Sequence, residues 1–288
     1  MLRALGRTVR DHPAWTVTLI VLAALATAVG VVALVRANRP AASPPAARHA
    51  GTPFSGQFTN AAGSIRYLGY LPSGYRPGQA LPLVVALHGC TETADQFRQL
   101  TGFDRLADQR RFIVLYPAQD PASSFARCWS WFSGADMLRG IGEPALIAGL
   151  TTSVAQRYGA DPRRIYVAGL SAGGAMSAVM GATYPDLYAA IGVGSGCEYA
   201  GWPCVASSGL LDPAVAGQLA YLAMGANARP MPAVIFQGDA DTTVPPANAQ
   251  ELVRQWQVSA DWADDGAVNG SVPAAPSAVV QGQVPGGR

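Results

Sequence analysis

The pentapeptide Gly169-Leu170-Ser171-Ala172-Gly173 is where residue type and spacing most directly prescribe chemistry. Glycines two positions either side of a serine permit a bend too tight for side chains, and that bend lifts the hydroxyl clear to attack a carbonyl. It also aims the N–H of Ala172 at the oxygen on which negative charge would develop. The competing reading is a tight turn with a structural serine. Upstream, Leu87-His88-Gly89-Cys90 closes an apolar run. Gly89 allows close backbone approach, and the N–H of Cys90 is the candidate second oxyanion donor. His88 is read as a residue that orders this loop and meets substrate rather than as the catalytic base. Late in the chain, Gly238-Asp239-Ala240-Asp241-Thr242-Thr243-Val244-Pro245 offers a carboxylate that could orient an imidazole. Asp241 is the preferred acid and Asp239 the alternative, against an Asx turn carrying a solvated acid.

These residues need a frame. Leu83 to Leu87 and Phe112 to Tyr116 are short, wholly apolar runs that fit strands buried on both faces of a parallel sheet. Ile65 to Leu71 is a further strand, ending at the turn Pro72-Ser73-Gly74. Glu143 to Tyr158 has helical spacing and stops at Gly159. A strand over Ile165 to Ala168 follows, and then a helix from Ala172 to Tyr184. Ile191 to Val193 and Ala233 to Phe236 read as core strands, and Ala247 to Trp262 as a helix. The alternation predicts an α/β fold with a mostly parallel, doubly wound sheet, whose ligand sites lie at the carboxyl ends of the strands. Ser171, Cys90 and Asp241 each follow such an end.

Outside this frame, residues 1–14 form a short basic segment and Trp15 to Val35 is apolar over the length needed to cross a bilayer. It is read as an uncleaved anchor, with a signal peptide cleaved near Ala26-Thr27-Ala28 as the alternative. Arginines flank it on both sides, so charge does not fix its orientation. Residues 36–56, rich in Ala, Pro and Ser, read as a linker, and 57–288 as the globular domain. The formal charge is +2 and lysine is absent, so no basic stripe is available to follow a phosphate backbone. Four cysteines, Cys90, Cys128, Cys197 and Cys204, all lie beyond the apolar segment. An even count in an exported chain implies two disulfides among three connectivities, of which Cys90–Cys128 with Cys197–Cys204 is favoured over the others and over four buried free thiols. The expected location is the cell surface or exterior. No metal or organic cofactor is expected, because neither a CxxC pair nor a Cys/His cluster is present.

Four stretches together resemble the esterases of the polyhydroxybutyrate depolymerase type, related to feruloyl and acetylxylan esterases and built on the α/β-hydrolase fold. They are LPLVVALHGCTETADQF at 81–97, RCWSWF at 127–132, RIYVAGLSAGGAM at 164–176 and FQGDADTTVPPANAQELVRQW at 236–256. The resemblance implies a carboxylic-ester hydrolase with Ser171 as nucleophile, Asp241 as triad acid, Cys90 and Ala172 as oxyanion donors, and a Cys90–Cys128 bridge. Trp129 and Trp131 are candidates for an acyl- or polymer-binding surface, with plain core as the alternative. The sequence departs from the pattern at the base. The triad histidine should follow the aspartate, yet the only histidines are His12, His49 and His88. The expectation is therefore a C-terminally truncated hydrolase that lacks its last strand and helix and turns over esters poorly. A catalytically dead, membrane-tethered protein that binds esters or polymers is the alternative.

Overall fold

The computed structural model describes residues 50–270 apart from 125, 202–203 and 206–210. The expected anchor at 15–35, the basic segment before it and His12 and His49 all lie outside the described residues. In chain order the elements are β1 Thr52–Asn60, β2 Gly63–Leu71, β3 Leu81–Leu87, α1 Ala94–Thr101, α2 Phe103–Arg110, β4 Ile113–Ala118, α3 Gly142–Tyr158, β5 Ala160–Leu170, α4 Ala172–Thr183, β6 Ala190–Gly194, α5 Pro213–Met224, β7 Ala233–Phe236 and α6 Ala247–Asp265. The strands make one sheet in the order β1-β2-β4-β3-β5-β6-β7. β1, β2 and β4 pair antiparallel, and β4-β3-β5-β6-β7 pair parallel. The mostly parallel α/β sheet is thus as the apolar runs predict.

Local sequence explains the element ends. Thr93 and Gln96 form a reciprocal capping box at the start of α1: the Thr93 hydroxyl accepts from the Gln96 N–H at 3.1 Å, and the Gln96 side chain accepts from the Thr93 N–H at 2.9 Å. Gly159 closes α3 in the left-handed conformation, as expected for a C-terminal glycine. Helix α4 is buried along its whole length, and its Ala and Gly residues let it lie against the sheet. An ideal Cβ on Gly174 would come 2.7 Å from the Gly194 carbonyl oxygen. β1 opens at Thr52, inside the stretch read as linker to residue 56. Only one in three of its side chains is even partly covered, so it lacks the apolar alternation by which strands are recognised.

Packing occurs on both sheet faces. One core joins α3, α4 and α6 to the strands through Leu83, Leu87, Ile147, Met176, Ile191 and Trp256. The other joins α1 and α2 to β2, β3 and β4 through Tyr70, Ala86, Phe97, Ala107 and Tyr116. Among the described residues β7 pairs on one side only, with β6. On this strand Val234 is 49% exposed and Phe236 66%. No helix of the described residues is long and apolar enough to cross a membrane.

Candidate active site

Strand register builds the site before any side chain is considered. Leu87 lies opposite Gly169, Leu170 opposite Gly194, and Gly194 opposite Phe236. The parallel strands β3, β5, β6 and β7 therefore end at nearly one level, and His88, Ser171, Ser195 and Gln237 leave the sheet side by side. Loops from this rim carry Cys90 and Asp241, so the three residues singled out from sequence sit on the same rim.

Ser171 occupies φ 56°, ψ −120°, a region that side-chain-bearing residues rarely adopt. Its N–H donates to the Gly194 carbonyl at 2.8 Å, and its carbonyl accepts from the Ala175 N–H at 3.0 Å, so the strained turn is held from both sides. The flanking glycines are sterically required. A Cβ on Gly169 would stand 2.3 Å from Gly173 backbone atoms, and one on Gly173 would stand 2.1 Å from the Leu87 carbonyl oxygen. Ser171 itself is partly exposed, whereas Ala172 is only 2% exposed at the first position of α4.

The loop after β3, which carries Gly89 and Cys90, lies directly across from this turn. An ideal Cβ on Gly89 would be 3.5 Å from the Ser171 Cβ. Among the described residues neither the Cys90 N–H nor the Ala172 N–H donates to a protein acceptor, while the adjacent Gly89 N–H donates to Glu92 at 2.8 Å and Thr91 N–H to Ala126 at 2.5 Å. Two amides beside Ser171 thus have no protein acceptor among the described residues, one at the start of α4 and one on a loop whose neighbouring amides are paired. The loop is braced covalently by Cys90–Cys128, and a second bridge joins Cys197 to Cys204, as favoured from the sequence.

His88 is wholly buried, and its ring is fully used by the fold. Nδ1 donates to the Gly89 carbonyl at 2.8 Å, which leaves Nε2 to accept from the Gln119 N–H at 3.1 Å. Burial holds its pKa below the ordinary histidine value, so it is a neutral strut of the loop. Trp129 is also wholly buried, donating its indole N–H to the His88 carbonyl at 2.9 Å, and Trp131 is 6% exposed against Phe132. His88, Trp129 and Trp131, expected to meet substrate, are instead part of the interior. For His88 and Trp129 the reason is that their polar atoms serve the loop itself: the Trp129 indole N–H donates to the His88 carbonyl, and the His88 ring is bonded to Gly89 and Gln119.

Asp241 sits in a compact cage. Oδ1 accepts from the N–H groups of Thr243 at 2.9 Å and Val244 at 3.0 Å, and Oδ2 accepts from the Gln237 amide at 3.1 Å. These donors, led by the Val244 N–H and joined by the Ser195 hydroxyl, hold its pKa below the ordinary aspartate value against a smaller opposing effect of burial. It is an ionised, oriented acceptor at neutral pH. The Asx turn of the competing reading is present, and Gln237 and Ser195 tie it to the ends of β7 and β6. Asp239, by contrast, is exposed.

Sequence reasoning missed several supporting residues. Gln237 and Ser195 were legible only as the residues just past two strand ends. Glu143 was read solely as the start of a helix, but its carboxylate accepts from the Ser130 N–H at 2.7 Å, the Ser130 hydroxyl at 3.0 Å and the Gln119 amide. Burial pushes its pKa up to about 7. Glu198, in the loop after β6, is 3% exposed, and among the described residues its Oε2 has no hydrogen-bond partner. Burial, then the nearby Glu251 and Asp212, push its pKa up to about 8.

Residues 65–270 match the family described as Esterase PHB depolymerase. The poly(3-hydroxyalkanoate) depolymerase C of Paucimonas lemoignei is 37% identical over 202 residues, 67% of this chain and 48% of that protein. Acetylxylan esterase A of Talaromyces purpureogenus is 37% identical over 213 residues, 68% of this chain and 54% of that protein. The chain thus spans about half the length of these relatives. Among solved structures, an acetyl xylan esterase from Aspergillus awamori superposes with a TM-score of 0.60 at 30% identity, over 68% of this chain and 74% of the other. With most of its described residues inside the match, the chain belongs to the esterase PHB depolymerase family.

Proposed function

We propose that this chain carries the nucleophile, the oxyanion site and the orienting acid of a serine carboxylic-ester hydrolase, acting on hydroxyalkanoate-type or aryl esters. The observation that carries the reading is the strained Ser171 between two sterically obligatory glycines, facing the unpaired N–H groups of Cys90 and Ala172. In the reaction Ser171 Oγ adds to the ester carbonyl, and the two amides receive the oxygen as it becomes an anion. Collapse of the adduct expels the alcohol and leaves an acyl-serine, which water then hydrolyses. Asp241, fixed by four donors, is placed to orient and stabilise a protonated imidazole.

The imidazole itself is not supplied by His88, whose two nitrogens are both engaged inside the core. Loss of the base from a triad of this kind lowers turnover by about a million-fold. The 288 residues alone are therefore expected to bind ester and turn it over very slowly. Two disulfides support placement outside the cytosol, and the apolar stretch at 15–35 would tether the domain to a membrane. The test is hydrolysis of p-nitrophenyl butyrate together with fluorophosphonate labelling. Labelling that vanishes in Ser171→Ala supports the reading, and ordinary turnover that survives Ser171→Ala would sink it. Ester binding with neither labelling nor turnover would favour a tethered binding protein.

A further inference from the structure

We propose that Glu143 is a positioning residue for the oxyanion loop: its carboxylate fixes Ser130 and Gln119, and through them sets the Cys90 N–H against Ser171. The inference rests on the ester-hydrolase reading for its purpose, but not for its geometry.

Glu143 stands on the first turn of α3, where an acidic side chain ordinarily serves its own helix. Here that task is done by another residue, because the Glu143 N–H is taken by Asp136 Oδ1 at 2.6 Å. The Glu143 carboxylate instead collects three donors, two from Ser130 and one from Gln119. Each of these partners leads to the loop. Gln119 passes its amide to the Cys128 carbonyl at 3.1 Å and its main-chain N–H to His88 Nε2 at 3.1 Å. Ser130 is two residues from Cys128, which is bonded to Cys90, and one from Trp129, whose indole holds the His88 carbonyl at 2.9 Å. Cys90 therefore has a covalent and a hydrogen-bonded route back to a single carboxylate on a rigid helix. Above its pKa of about 7 the ionised carboxylate accepts without donating, so it satisfies all three donors at once, which its amide isostere cannot do. An oxyanion donor displaced by a fraction of an ångström loses much of its effect on the developing charge. That makes the anchor, rather than the loop alone, part of what the site needs.

The test uses the full chain, wild type and Glu143→Gln, with Ser130→Ala as a milder variant that removes one of the three bonds. Amide hydrogen exchange is followed for residues 88–91 and 128–130, with β2 and α4 as internal references. The expected result is exchange at 88–91 faster by ~10-fold or more in Glu143→Gln and by less in Ser130→Ala, with the references unchanged. Exchange at 88–91 equal to wild type, or faster everywhere alike, would overturn the proposal. A second arm measures phosphonylation of Ser171, where the maximal rate is expected to fall ~10-fold or more while the probe concentration at half-maximal rate stays put. A fall confined to probe affinity would also overturn it. Absence of labelling in the wild type would count against the esterase reading alone, and the exchange arm would still decide the role of Glu143.

Discussion

Replacing Ser171 by glycine should leave the fold more stable than replacing it by alanine, the reverse of the usual order. Both substitutions delete the hydroxyl, so their difference isolates the backbone. At φ 56°, ψ −120° a residue with a Cβ is strained, and such conformations cost about 1–3 kcal/mol. Glycine adopts positive φ freely, but it gives up about 0.5–1 kcal/mol through the greater freedom of its unfolded chain. Taking about 2 kcal/mol for relief and about 1 for entropy, Ser171→Gly should exceed Ser171→Ala by ~1 kcal/mol. The turn is over-determined by the Gly194 and Ala175 bonds and by contacts that exclude a Cβ at Gly169 and Gly173, so it has no cheap way to relax in the alanine variant. Urea unfolding of the two variants at pH 7, with equal slopes, gives the difference directly. If Ser171→Ala proved the more stable by a few tenths of a kcal/mol or more, the turn would not be storing strain, and its value as a mark of a nucleophile would go with it.

Other consequences are as direct. Gly173→Ala would push a methyl group to 2.1 Å from the Leu87 carbonyl oxygen, a backbone atom that cannot swing aside. Its urea midpoint should fall by the equivalent of ~3 kcal/mol or more, or the chain should fail to fold. Burial pushes the Glu198 carboxyl up to about 8 in the folded state, against an ordinary value of 4.5, so the folded state holds a proton that the unfolded state has released between those values. That stability is complete below about pH 4.5 and is lost as pH rises through 8. Glu198→Gln should therefore flatten the decline and raise stability at pH 9 by ~2 kcal/mol, as read from urea unfolding at pH 6 and 9. Phe236→Asn should reduce self-association, as measured by light scattering, because it removes the most exposed large apolar side chain on a strand paired on one side only among the described residues. Added imidazole should accelerate p-nitrophenyl butyrate hydrolysis by the wild type beyond the rate seen with Ser171→Ala; equal acceleration of both would mean that Ser171 is not the group being deprotonated.

Much of this protein was readable without coordinates, because the relevant signals are local. Short apolar runs mark strands wherever both faces of a sheet are covered, and β3 and β4 are such runs bounded by turn residues; β7 is an equally apolar run, yet the fold leaves most of it exposed. The glycine pattern around Ser171 marks its bend within five residues, although the Leu87 carbonyl across the sheet is what makes Gly173 obligatory, and Gly159 ends its helix through its left-handed backbone. Tertiary structure decided what depends on residues distant in sequence. Parallel register brought positions 88, 171, 195 and 237 to one rim, and no run of sequence records register. Whether His88 and Trp129 face solvent or core depended on partners distant in sequence, the Gln119 N–H for the His88 ring and the His88 carbonyl for the Trp129 indole, and both choices suit the same residue types. The carboxylates of Glu143 and Glu198 show most plainly why: a titration behaviour is set by what surrounds a group in space, and neighbours such as Ser130 and Asp212 are made by the fold.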